Sequence, residues 1–205
     1  ALSDKLEVEV VRDQQIYVQE YSRGAPLGKL RKEGKINNRR GTSITFHPDP
    51  QIFGDKAKFR PEKLYRFARS KAYLFRGVEI RWQCDPRLLE GVQNVPQQDR
   101  IHFPGGLSDF LVETLEGKPL VTHKAFVGQA ELAEGKGRVE WAISWPQFED
   151  GMTRSYCNTV YTPEGGTHES GLKTALTKGI KAYGEMVGVK KLNLITGDDV
   201  SGTAF

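Results

Sequence analysis

Residues 156–184 read YCNTVYTPEGGTHESGLKTALTKGIKAYG, and they set out in order a β-rich run, a turn and a helix. Tyr, Val and Thr dominate residues 156–162, the residue types that fit a pleated, half-buried strand. Pro163, Gly165 and Gly166 break that run. Leu172, Ala175, Leu176, Ile180 and Tyr183 then recur at three- and four-residue spacing, so a helix is expected over residues 168–186, with Thr167 placed to cap its N-terminus. A strand, a glycine turn and a helix start in succession aim backbone N–H groups at one spot, where an anion or a partner chain can be met.

The same alternation extends outward on both sides. Residues 5–11 set Leu6, Val8 and Val10 against Lys5, Glu7 and Glu9, a period of two that predicts a strand with its aliphatic residues inward. Residues 15–22 alternate in the same way after a turn at Arg12-Asp13-Gln14, and residues 29–31 and 41–46 supply two more strands. Four strands joined by short turns predict an antiparallel meander. Residues 61–74 read as a helix with Pro61 in its first turn, and the spacing of Leu64, Phe67 and Ala68 assigns its aromatic residues to a core. A strand over 78–84, a polar connection over 86–99, a short strand over 101–103 and a helix over 107–115 follow. Gly117 and Pro119 mark a junction within residues 116–122. Strands over 126–133 and 138–145 come next, and Asp150-Gly151 turns into a strand over 153–162. Residues 192–196 form another strand or a tight connection. The pattern is an α+β chain in two parts with no internal repeat.

Composition narrows the function classes. Among 205 residues, 38% are hydrophobic and 27% charged, ordinary values for a soluble protein. No apolar run approaches the roughly 20 residues of a membrane helix, and no basic-then-apolar leader opens the chain, so the cytoplasm is the default expectation and no membrane partner is expected. Cys84 and Cys157 are far apart and unpatterned, and read as buried, inert thiols. Charge is uneven: residues 1–86 carry a net +7 and residues 87–205 a net −3. The basic half is the better candidate for meeting phosphates, although any single Lys or Arg is first of all a solvated surface residue.

Four stretches carry a family resemblance: ALSDKLEVEV at residues 1–10, RGTSITFHPDP at 40–50, the Gly-Gly-Thr-His of 165–168, and TGDDV at 196–200. In this order they resemble the B subunits of bacterial type IIA topoisomerases, the gyrase and topoisomerase IV family, with topoisomerase IV the nearer of the two. The resemblance spans nearly the whole chain. It implies that residues 1–117 are the C-terminal part of a GHKL-type ATPase domain and residues 118–205 the N-terminal part of a transducer with a ribosomal-protein-S5-like fold. It further implies a fragment of a protein that uses ATP and Mg, and that works with the topoisomerase A subunit, a second copy of the B subunit and double-stranded DNA. Coumarin-type inhibitors are the expected small-molecule ligands.

The resemblance places two binding positions and no catalytic one. Thr42, beside Gly41, matches the family threonine that completes the adenine site, with Gly41 allowing close approach of the strand. Arg12 matches the arginine at the pocket edge that binds coumarins. By residue type alone, Thr42 is a β-branched strand residue beside a turn glycine and Arg12 a charged turn residue. The family's glutamate base, Mg-binding asparagine and phosphate-reaching lysine find no match in this chain, nor does a GxxxxGK[ST] loop. No ATP turnover by the chain itself is therefore expected, nor tight binding of nucleotide or metal. A non-catalytic nucleic-acid or protein-binding module derived from such a B subunit is the alternative reading. His168 lacks a neighbouring nucleophile and orienting acid, His47, His102 and His123 lack metal-ligand spacing, and Asp198-Asp199 read as a turn.

Overall fold

The computed structural model describes residues 2–205, except for the side chains of Glu134 and Asn193. It divides into two compact units, one ending at Arg60 and the other beginning at Pro61.

The first unit is a five-stranded antiparallel sheet. β1 (Ser3–Arg12) and β2 (Gln15–Ser22) form a hairpin that pairs Arg12 with Gln15. Its two-residue turn places Asp13 and Gln14 at φ 51° and 60°, the left-handed values that match the twist of a hairpin. β3 (Ala25–Pro26) and β4 (Arg31–Lys35) both pair with the outer edge of β2, while β5 (Gly41–Pro48) crosses back to pair with β1. The expected meander is thus corrected: the last strand returns to the first. Local alternation identifies strands but does not select the edge on which a later strand lands. The sidedness of β1 also differs from expectation. Leu6, Val8 and Val10 are only half-buried, and the buried residues are Val11 and Val18 on the other face. Ile44 and Phe46, paired with Val8 and Leu6, are exposed on the first face, where Phe59 packs edge-on against Phe46.

Past β5 the chain turns through α1 (Pro50–Phe53). Asp49 caps it, accepting from Gln51 N at 2.9 Å, and also receives Arg23 Nε at 2.6 Å. Arg23 Nη2 adds a third donor at 3.3 Å, so the carboxylate of this residue, 2% exposed, serves three N–H groups from two residues.

In the second unit, α2 (Pro61–Leu74) packs on the hairpin of β6 (Glu79–Gln83) and β7 (Gln98–His102) and on α3 (Leu107–Thr114). Ala72, Tyr73, Ile101, Phe103, Phe110 and Leu111 form the centre of the core. Tyr73 stacks on Phe110 with ring centroids 3.9 Å apart. The aromatic residues of α2 do not all go inward: Tyr65 and Tyr73 do, but Phe67 is 61% exposed. The helix turns its Tyr65, Ala68 and Ala72 stripe to the core, and Leu64 and Phe67 fall on its flank.

β8 (Phe126–Glu131) and β9 (Arg138–Ser144) form a hairpin. The expected strand over 153–162 is replaced by a small hairpin, β10 (Tyr156–Cys157) and β11 (Val160–Tyr161), because Asn158 and Thr159 adopt φ 48° and 66°. α4 (Thr167–Met186) follows, and a 3-10 turn at Leu192–Leu194 stands where a strand or tight connection was expected. β12 (Thr203–Ala204) closes the sheet in the order β12-β9-β8. Ala142 of β9 and Phe205 reach the same core as Leu115, so residues on both sides of position 117 share it. Cys157 is exposed and Cys84 partly so, which corrects the expectation of two buried thiols; in the short hairpin Tyr156 packs on the core, while Cys157 and its partner Val160 are left exposed.

Candidate functional site

In the first unit, the sequence-predicted binding residues gather at one end of the β1–β5 ladder. Val10 pairs with Thr42 and Val11 with Gly41. Cross-strand partners share a face and residues two apart on a strand share it too. Thr42 and Arg12 therefore stand on one face, in adjacent rows of the sheet. Both are exposed. Gly41 takes φ +142°, a conformation that L side chains rarely adopt, while a Cβ at this position would meet open space. Within the unit, glycine is needed here for the backbone bend at the strand start. Among the described residues the Arg12 side chain pairs only with neighbouring Asp13, at 3.8 Å with both side chains largely solvated, so its guanidinium is available to a ligand.

In the second unit, the Gly-Gly-Thr-His segment is tied down by a side-chain network. Thr162 Oγ1 donates to Ser155 O at 2.8 Å and lies 2.7 Å from Ser155 Oγ. Ser155 Oγ also donates to Glu169 Oε2 at 3.2 Å, and His168 Nε2 lies 3.4 Å from Thr162 Oγ1. Gly165, at φ +69°, makes the turn between hairpin and helix. Thr167 is the first helical residue rather than the cap; Gly166 holds the cap position without a side-chain bond. The segment thus fastens α4 to the base of the small hairpin. His168 and Glu169 engage different partners and make no acid–base pair. Ser155, which no sequence motif singles out, takes part in three of these contacts. A polar residue in an irregular stretch gives no periodic signal.

Asp199 Oδ2 accepts from Thr196 N at 2.8 Å and Thr196 Oγ1 at 2.7 Å. These donors hold its carboxyl below the usual range, and the pair closes the turn expected from the sequence. No group of three His, Cys, Asp or Glu side chains among the described residues is placed to hold a metal ion. No described helix is long and apolar enough to cross a membrane.

Sequence comparison identifies the family. The DNA gyrase B family matches residues 106–205. The topoisomerase 4 B subunit of Bartonella bacilliformis is 52% identical over 200 residues, which cover 98% of this chain. The chain belongs to the B-subunit family of type IIA topoisomerases. The topoisomerase 4 B subunit of Caulobacter vibrioides is 49% identical over the whole of this family member. The chain spans 29% of the first of these relatives and 30% of the second.

Solved structures of the family agree. The 43K ATPase domain of Thermus thermophilus gyrase B, determined with an aminocoumarin, superposes with a TM-score of 0.74 at 29% identity, covering 93% of this chain and 49% of that one. The ATP-binding domain of Francisella tularensis topoisomerase IV, determined with a small-molecule inhibitor, gives 0.66 at 26% identity, covering 91% and 47%. The α+β fold of this B-subunit relative is therefore that of gyrase B ATPase-domain structures.

Proposed function

We propose that the chain forms one wall of the ATP pocket and the root of the transducer in a topoisomerase IV-like B subunit. Residues 1–117 are the C-terminal part of the GHKL ATPase domain in this reading, and residues 118–205 begin the S5-like transducer. In the whole protein, ATP with Mg drives pairing with a second copy of the B subunit, closing a gate on a DNA segment. The transducer passes that movement to the A subunit, where strand passage is completed. The setting is cytoplasmic.

The observation that carries this reading is the placement of Thr42 and Arg12 on one exposed face, in a chain aligned over nearly its full length with topoisomerase 4 B subunits. A threonine hydroxyl both donates and accepts, so it serves the polar edge of a purine directly or through water. A guanidinium on the same face, paired with a solvated carboxylate, suits the carbonyl-rich edge of an aminocoumarin. Neither group is a base or a metal ligand, and the sequence offers no match to the family's glutamate, asparagine and lysine.

The chain is accordingly proposed to bind at the pocket wall without turning over ATP. Phosphate release by the purified chain, with ATP, Mg and duplex DNA present, tests this. No release above background is expected. Turnover that disappears in Thr42→Val would overturn it.

A further inference from the structure

A cavity of about 430 Å³ in the second unit is lined by three arginines, Arg66, Arg69 and Arg154. Arg66 and Arg69 reach it from α2, and Arg154 reaches it from the irregular stretch before β10. Tyr65, Tyr73 and Phe110 also line it. Arg69 is committed: its Nη2 donates to Glu113 Oε1 at 2.5 Å, and its guanidinium lies 5.3 Å from the Phe103 ring centroid and 5.7 Å from that of Phe110. The Arg154 backbone N–H donates to Ala204 O at 2.9 Å, but the side chains of Arg66 and Arg154 make no hydrogen bond or ion pair among the described residues. Glu62 is the one carboxylate in the wall among the described residues.

Two arginines with uncommitted side chains in the wall of one recess carry like charge, and aromatic walls screen their repulsion less than water does. An anion between them removes the repulsion and takes up their donors. The planar forks of arginine match the oxygens of a phosphoryl group two at a time. Gln93 and Asn94 at the rim add amide donors. Lysines on a solvated face would attract any anion diffusely, whereas a recess with fixed aromatic walls selects one compact enough to enter.

We propose that this cavity binds a phosphoryl group, supplied either by the backbone of duplex DNA or by a free phosphate compound. The duplex source rests on the proposed role of the whole protein in DNA passage; the phosphoryl chemistry does not.

Two titrations of the 205-residue chain test it. In the first, inorganic pyrophosphate is titrated by calorimetry into wild type, Arg66→Gln, Arg154→Gln and Arg154→Lys, with Lys32→Gln on the other unit as control. Loss of about tenfold or more in affinity in each glutamine variant, with partial retention in Arg154→Lys and no change in Lys32→Gln, is expected. Equal affinities across all five proteins would overturn the proposal. Arg66 lies on an exposed helix position, so Arg66→Gln keeps the test decisive if an Arg154 variant fails to fold.

In the second, a labelled duplex of about 20 base pairs is followed by anisotropy between about 50 and about 200 mM salt. A fall of about one in the slope of log affinity against log salt for each glutamine variant assigns the DNA backbone as the source. An unchanged slope, with pyrophosphate binding lost, supports the phosphoryl site, assigns it to free phosphate compounds and refutes the DNA source alone.

Discussion

Lys71 Nζ donates to the carbonyl oxygen of Thr159 at 2.7 Å and lies 3.2 Å from its Oγ1. Thr159 is the second residue of the turn between β10 and β11, and its φ of 66° is costly for a β-branched side chain. An ammonium on α2 therefore holds a strained turn 88 residues away in sequence. The same ammonium lies 4.9 Å from the Phe67 ring centroid, which gives that exposed ring a role on the flank of the helix.

Removing the donor should loosen the turn, and removing the strain should not. Lys71→Met is expected to cost about 1–2 kcal/mol of stability, as expected for a lost charge-assisted hydrogen bond. Thr159→Gly is expected to be neutral or to stabilise by up to about 1 kcal/mol, because Asn-Gly is a preferred pair in such turns. Urea denaturation of both variants is the check, and equal destabilisation by the two would refute the strain.

Two carboxylates set a response to acid. Arg23, and then the backbone N–H of Gln51, hold the Asp49 carboxyl below its ordinary range. Arg100 and then Arg81 bring Glu79 down to about 2. Both folded values lie below the unfolded ones, so the stabilisation is complete above the unfolded carboxyl range of about 4 and is lost as pH falls towards the folded values. Melting temperature should drop steeply from about pH 4 to about pH 2 in wild type. Asp49→Asn and Glu79→Gln should each lie lower at neutral pH and show a shallower drop.

Within the second unit, packing and polarity make opposite predictions for close neighbours on β9. Ile143 is fully buried, and Leu111 on α3 is 1% exposed; truncation of either to alanine should cost about 2–5 kcal/mol. Ser144 is as buried as Leu111, but its hydroxyl finds no hydrogen-bond partner among the described residues. Ser144→Ala should therefore be neutral or stabilising by up to about 1 kcal/mol. Chemical denaturation midpoints of the three variants decide this.

Legibility in the sequence follows the range of the interaction involved. Gln15–Ser22 and Pro61–Leu74 match the expected spans at both ends, since periodicity and an N-terminal proline are local signals. The return of β5 to β1 depends on which sheet edge is free, and no local pattern carries that. Residues 153–162 read as one strand because their residue types favour strands, yet Asn158 and Thr159 turn the chain and Lys71 holds the turn. Likeness to a family singles out Thr42, Gly41 and Arg12, and pairing register brings Thr42 and Arg12 to one face. Arg154 carries no signal at all, because the irregular stretch around it has no period to read.

At the centre of the proposed function stands the strand end at Gly41–Thr42, as a wall of a purine pocket with Arg12 at its edge. The most direct test uses the B subunit that carries these residues and measures its affinity for a non-hydrolysable ATP analogue and for an aminocoumarin. Thr42→Val should weaken the analogue by about tenfold, the equivalent of about 1.4 kcal/mol. Arg12→Gln should weaken the aminocoumarin by a similar factor and leave the analogue within about threefold of wild type. Unchanged affinities for both ligands in both variants would contradict the pocket-wall role.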